Sequence, residues 1–181
     1  MPRIGFISGA GLQHLAPFRD LRPQTLETEF GTATVLVSET LAYVPRHGLT
    51  PNDYVLPHRI NHAANLKAVK DLGCSEVIGL NSTGSLKRHL PPGSIVVPHD
   101  FIELYGTSTV FSNRPVHVVP GLDEPLRRRL IESAGAAGIP VPVVGTVGAT
   151  GTNTSDNAPD VYWRSNAPAT GLAQANNLIT A

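Results

Sequence analysis

Short apolar runs bounded by turn residues recur along this chain from its first residues. Arg3-Ile4-Gly5-Phe6-Ile7-Ser8 reads as a buried strand, and Gly9-Ala10-Gly11 as the tight turn after it. Leu26-Glu27-Thr28-Glu29-Phe30-Gly31 reads as an extended segment ending in a turn. Residues 33–37 and 41–45 are two apolar runs able to pair across Ser38-Glu39-Thr40. Arg46-His47 opens a loop in which Pro51, Asn52 and Asp53 are breakers. From Pro57 the period becomes helical: Ile60, Ala63, Ala64, Ala68, Val69 and Leu72 share one face, and Gly73 closes the helix.

The strand pattern then returns. Glu76-Val77-Ile78-Gly79-Leu80 is a buried run followed by the loop Asn81-Ser82-Thr83-Gly84-Ser85. Pro91-Pro92-Gly93 turns the chain into a strand over 94–98, and Val116-His117-Val118-Val119 is a further short run. Asp123 caps a second helix carrying Leu126, Leu130, Ile131, Ala134 and Ala137, which Gly138 ends. Pro140–Thr146 is a late strand. Residues 145–160 turn small, polar and Gly/Thr-rich, the composition of a loop or an unfolded segment. Strands alternating with helices predict an α/β domain around a central sheet.

Composition narrows the functions available. The 181 residues carry 14 Lys+Arg against 14 Asp+Glu, a formal charge of zero, so bulk electrostatic binding of nucleic acid is not expected. Arg127-Arg128-Arg129, the one dense basic cluster, reads as a solvated helix face. The single cysteine, Cys74, permits no internal disulfide and reads as a small buried hydrophobe. No run approaches the roughly 20 apolar residues of a membrane span, and Ile4–Ile7 is too short for a signal sequence. The expectation is a soluble cytoplasmic protein without a membrane partner.

The candidate chemistry lies in three turns that follow strands. Arg46 offers a planar fork of donors, His47 one or two more, and the Gly/Ser/Thr-rich turns offer backbone N–H groups. Such a set suits an oxyanion, phosphate best, and strand ends are where ligands sit in α/β sheets. The first turn has neither dinucleotide-fingerprint spacing nor a P-loop lysine. His58 and His62 are four apart but lack an HExxH glutamate and a third ligand, so they read as capping or solvated residues and no metal is expected. His99-Asp100 reads as a strand-end hydrogen bond sooner than an acid/base pair. No Gly-x-Ser-x-Gly elbow marks a nucleophile, which suits a reaction in which phosphate itself attacks; no residue is assigned as catalytic and no cofactor beyond phosphate as co-substrate is expected.

The order of these segments resembles a known family. Ile4-Gly5-Phe6-Ile7-Ser8-Gly9-Ala10-Gly11-Leu12, Glu27-Thr28-Glu29-Phe30-Gly31 and Tyr43-Val44-Pro45-Arg46-His47-Gly48 are similar to landmarks of the trimeric purine nucleoside phosphorylases, especially the methylthioadenosine/methylthioinosine phosphorylase branch. So are Ile60–Gly73, Asn81-Ser82-Thr83-Gly84-Ser85-Leu86 and Pro92–Ile102. The resemblance covers roughly residues 3–144. It implies a phosphorylase/hydrolase-like three-layer α/β/α sandwich with a central mixed sheet, commonly a homotrimer. It implies phosphate at Arg46, His47, Asn81, Ser82 and the Ala10 turn, and nucleoside near Thr83 and Gly84. The reaction implied is phosphorolysis of 5′-methylthioadenosine or a related purine nucleoside to free base and sugar-1-phosphate.

The chain departs from the family at three places. Ala10 stands where the opening turn usually carries Thr or Ser. Leu49-Thr50-Pro51-Asn52-Asp53 stands where the branch has another histidine. Val161–Leu172 lacks the aromatic and glutamate of the family's Gly-Pro-Arg-Phe-Glu-Thr motif, and the later Gly-Met-Ser/Thr segment is absent. The expectation is a phosphorylase-like domain over 1–144, a divergent tail over 145–181, and a fold incomplete at the C-terminus. A non-catalytic anion-binding or subunit-pairing protein of the same fold is the alternative; a nucleoside hydrolase is a third reading.

Overall fold

The computed structural model describes residues 2–9, 11–82, 87–103, 111, 113–117 and 121–148, with backbone alone for 100–103 and 143–148. Ala10, Thr83, Gly84 and the segment 149–181 lie outside the described residues. Five strands form a mixed sheet: β1 (Arg3–Ser8), β2 (Arg22–Thr28), β3 (Gly31–Val37), β4 (Leu41–Pro45) and β5 (Cys74–Leu80). Their spatial order is β2-β3-β4-β1-β5, with β4, β1 and β5 parallel and β2 and β3 antiparallel to their neighbours. The hairpin expected across Ser38–Thr40 is present, with Leu36 opposite Tyr43 and Val37 opposite Ala42.

The two faces of this sheet follow from the alternation of side chains along β3 and β4. Val35, Ala42 and Val44 point to one side and pack with Ala64, Leu66, Ala68 and Val69 of the helix α1 (His62–Asp71). Leu36 and Tyr43 point to the other side and pack with Phe18, part of a 3-10 turn over Ala16–Phe18. Phe18 meets Phe6 and Tyr43 edge-on, at 5.0 and 5.8 Å between ring centroids. Each large side chain so buried contributes about 1.5–3 kcal/mol. Gly5 sets how closely α1 approaches the sheet: a Cβ there would lie 2.7 Å from Val69 Cγ1. Cys74 is buried, and burial pushes its thiol up to about 11, as expected of a small hydrophobe.

The first helix starts later than the sequence predicts. Pro57 opens only a 3-10 turn, Pro57–Arg59, and α1 begins at His62. The reason is Asn61, whose side chain accepts from Ala64 N–H at 3.0 Å and donates to the Phe30 carbonyl at 2.6 Å. It caps the helix and ties it to the β2–β3 turn. His58 and His62 therefore sit on different elements, not one helical face. At the other end, Arg3 donates to the carbonyls of Leu72 (2.6 Å) and Ser38 (3.0 Å). That contact puts the end of α1 beside the start of β1, so α1 directs its N-terminus toward the carboxyl edge of the parallel strands.

Beyond β5, β6 (Val97–Glu103) and β7 (Val143–Gly148) pair in parallel, and α2 (Glu124–Ala136) packs on β6. Both strands lie about three residues later than the apolar runs suggested. Val116 and His117 belong to no strand, and Val118 and Val119 lie outside the described residues. Asp123 caps α2 as expected, accepting from Leu126 N–H at 2.7 Å. The arginine cluster on α2 is not merely solvated. Arg127 and Arg128 both engage Glu124, whose carboxyl is held down at about 2, chiefly by the hydrogen bond from Arg127. Arg129 reaches Glu76 on β5.

Candidate functional site

Three strand ends meet at one edge of the sheet. Ser8, the last residue of β1, is level with Pro45 of β4 on one side and Leu80 of β5 on the other. The turns that follow these strands are therefore neighbours, as the sequence implied. Arg46 N–H donates to the Ser8 carbonyl at 2.9 Å, and its guanidinium Nη1 donates to the Leu80 carbonyl at 3.3 Å. The buried Tyr43 hydroxyl donates to the Gly9 carbonyl and so fixes the first turn from below.

Arg46 and His47 stand together at this edge, and Asn81 and Ser82 follow directly from the end of β5 there, Asn81 with a buried side-chain oxygen. Ala10, Thr83 and Gly84, the other sequence-predicted residues, lie outside the described residues. His99 is exposed within β6, and Asp100 is described only in its backbone.

The loop after Arg46 is folded back on His47. His47 Nδ1 lies 2.8 Å from the Val55 carbonyl, and Val55 N–H donates to the His47 carbonyl at 2.9 Å. The Tyr54 ring stacks on the imidazole, 5.2 Å between centroids and 5° from parallel. The Asp53 carboxylate accepts from Thr50 N–H at 2.6 Å and Leu49 N–H at 3.3 Å. Gly48 makes this return possible. Its φ is 91°, and a Cβ there would lie 2.3 Å from the Asp53 carbonyl oxygen.

Sequence reasoning missed two members of this site, Tyr54 and His62. His62, the first residue of α1, enters the field of Arg46 and His47 because the helix points its N-terminus at this edge. Burial, then the charges of Arg46 and His47, pull its imidazole down to about 4. The same causes lower the others: burial depresses His47, with the Val55 carbonyl opposing and Arg46 adding, and burial depresses Arg46. Among the described residues no carboxylate pairs with Arg46, His47 or His62. Basic groups lowered by burial, near a helix N-terminus, are chemically suited to an anion.

A family model described as "Phosphorylase superfamily" matches residues 3–170. The chain belongs to the phosphorylase superfamily. It is similar to the "Probable 6-oxopurine nucleoside phosphorylase" of Archaeoglobus fulgidus, at 38% identity over 135 residues, 72% of this chain and 55% of that one. It is also similar to the "Probable S-methyl-5'-thioinosine phosphorylase" of Methanothermobacter thermautotrophicus, at 35% identity over 145 residues, 75% of this chain and 50% of the relative. The chain thus spans about half the length of the curated relatives it matches. The structure of the methylthioadenosine phosphorylase of Schistosoma mansoni with adenine superposes with a TM-score of 0.69, covering 97% of this chain and 76% of the other at 23% identity. That likeness gives the superfamily fold, and the mixed sheet agrees with it.

Among the described residues no helix is long and apolar enough to cross a membrane, and no group of three His, Cys, Asp or Glu could hold a metal ion.

Proposed function

We propose that this chain carries the phosphate-binding half of a purine nucleoside phosphorylase site, with Arg46 and His47 holding the anion. The supporting observation is that Arg46 and His47 follow β4 at the edge where three strand ends are level, and that among the described residues no carboxylate pairs with either. Asn81 and Ser82, at the end of β5, add donors from a second side. Backbone N–H groups of the Ala10 turn and of Thr83 and Gly84 belong to the same reading, with Thr83 and Gly84 nearest the nucleoside. Residues 1–144 are the phosphorylase-like domain and 145–181 a divergent tail.

In the reaction a phosphate oxygen attacks the anomeric carbon of the ribose while the bond from that carbon to the purine nitrogen breaks. The purine leaves with the bonding electron pair and takes a proton, and ribose-1-phosphate remains. The transition state is an oxocarbenium-like sugar, whose positive charge the bound phosphate stabilises. Catalysis then rests on positioning and electrostatics and needs no covalent enzyme intermediate. The substrate class is 5′-methylthioadenosine or a related purine nucleoside, drawn from the names of the relatives. A homotrimer located in the cytoplasm accompanies this reading.

Purified protein supplied with methylthioadenosine, methylthioinosine or inosine should release free base only when phosphate is present, and Arg46→Ala should abolish release. Phosphate-independent release would make the protein a hydrolase. No release, with phosphate still bound, would make it a binding protein of the same fold.

A further inference from the structure

The loop between Gly48 and Val55 does something the anion site alone does not require. The Val55 carbonyl can only accept, so the hydrogen between it and His47 sits on Nδ1. The opposite edge of the ring faces the first turn: His47 Cδ2, bonded to Nε2, lies 3.5 Å from where a Cβ on Gly9 would be. The Cδ2–Nε2 edge is therefore turned toward Gly9, just past the end of β1. A half-turn of the ring would exchange Nδ1 with a carbon and break the Val55 bond. The Tyr54 ring covers one face of the imidazole in parallel stacking.

We propose that Tyr54 is a positioning residue for His47: stacked flat on the imidazole, it holds the ring in one orientation and the Nδ1–H tautomer, so that Nε2 is directed at the anion. The proposal rests on the anion site described above and names the device that orients it. It also gives the Gly48–Asp53 turn a purpose. The close approach of Gly48 to Asp53 and the Asp53 hydrogen bonds to Leu49 and Thr50 deliver Tyr54 and Val55 back onto His47. Among the described residues, the charged and titratable groups recorded as acting on the imidazole or stacked on it are Arg46, His62 and Tyr54.

The test uses the full chain labelled with 15N-histidine. Long-range 1H–15N spectra at pH 8 report which nitrogen of each histidine carries the proton, and His47→Gln assigns the His47 signals. Wild type and Tyr54→Phe should show a single Nδ1–H tautomer at His47, because phenylalanine keeps the stacked ring. Tyr54→Ala should show a mixture of tautomers and bind inorganic phosphate about tenfold more weakly, the worth of about one hydrogen bond. Tyr54 is 53% exposed, so the truncation is expected to fold; Tyr54→Leu supplies a second variant that keeps bulk without an aromatic face. A folded Tyr54→Ala or Tyr54→Leu protein whose His47 nitrogens match wild type overturns the proposal. If phosphate binds no variant and not the wild type, the anion reading has failed, while the nitrogen shifts still decide what Tyr54 does to His47.

Discussion

Arg46 bridges two strands: its guanidinium Nη1 donates to the Leu80 carbonyl at 3.3 Å while its backbone N–H donates to the Ser8 carbonyl at 2.9 Å. One residue thus ties the ends of β4, β1 and β5 together, β1 through its backbone and β5 through its side chain, and the guanidinium still has donors left from its fork of five. Lysine is a point charge and cannot hold the Leu80 carbonyl and an anion in the same fixed geometry. Arg46→Lys should therefore weaken phosphate binding about tenfold and Arg46→Ala about a hundredfold, the range of one to two charge-assisted hydrogen bonds. Calorimetric titration with phosphate measures both. Equal affinity in Arg46→Lys and wild type would show that the bidentate geometry is irrelevant.

Gly48 and Gly73 offer a matched pair for the cost of a side chain at positive φ. Both have left-handed backbone, φ 91° and 72°. A Cβ at Gly73 meets nothing within 4 Å, whereas one at Gly48 collides with the Asp53 carbonyl. Gly73→Ala should cost about 1 kcal/mol, the conformational term alone. Gly48→Ala should cost about 3 kcal/mol or more, because the loop must also move. Urea unfolding of the two variants gives the comparison. Similar losses in both would mean the 48–55 loop yields easily and does not fix Tyr54.

How far the sequence reached can be judged at particular residues. The parallel core was legible because Ile4–Ser8, Leu41–Pro45 and Glu76–Leu80 are apolar runs ending in turn residues, and sheet geometry puts such ends side by side. Arg46 and His47 were found for the same reason. The sequence does not mark Asn61 as a cap, because Pro57 offers the stronger local start signal and the partner of Asn61, the Phe30 carbonyl, is 31 positions away. β6 begins later than its apolar run because such a run does not say where pairing begins; Val97 opposite Val143 decides it. Tyr54 gives no signal of its own, and the spacing of His62 from His58 points only to capping or solvation. His62 comes under the charge of Arg46 only through the crossover helix, and Tyr54 reaches His47 only because Gly48 lets the loop return.

The two hydrogen bonds of Asn61 can be separated by substitution. Asn61→Asp keeps an oxygen for Ala64 N–H and suits the helix N-terminus, but it cannot donate to the Phe30 carbonyl. Asn61→Ala loses both. Asn61→Asp should cost about 1 kcal/mol and Asn61→Ala about 2 kcal/mol. Chemical denaturation measures the difference. If Asn61→Asp is as stable as wild type, the tie between α1 and the β2–β3 turn contributes nothing.

His62 makes stability depend on pH in a definite window. Its imidazole falls from 6.5 in the unfolded chain to about 4 in the folded one. The folded state therefore binds fewer protons than the unfolded state between these values. The contribution is fully present above pH 6.5 and is lost as the pH falls toward 4. His47, lowered in the same direction, adds to the loss with the same sign. Glu124, lowered from 4.5 to about 2, loses its contribution with the same sign but mainly below pH 4.5, under the interval from pH 7 to pH 5. Between pH 7 and pH 5 the His62 share is about 2 kcal/mol at most. His62→Gln, which has no proton to gain, should show a correspondingly shallower decline in urea unfolding over this interval. Sulfate, whose charge is constant over this range, should offset the decline in wild type, because an anion beside Arg46, His47 and His62 favours their charged forms. Identical pH profiles for wild type and His62→Gln would place His62 outside the field of that site.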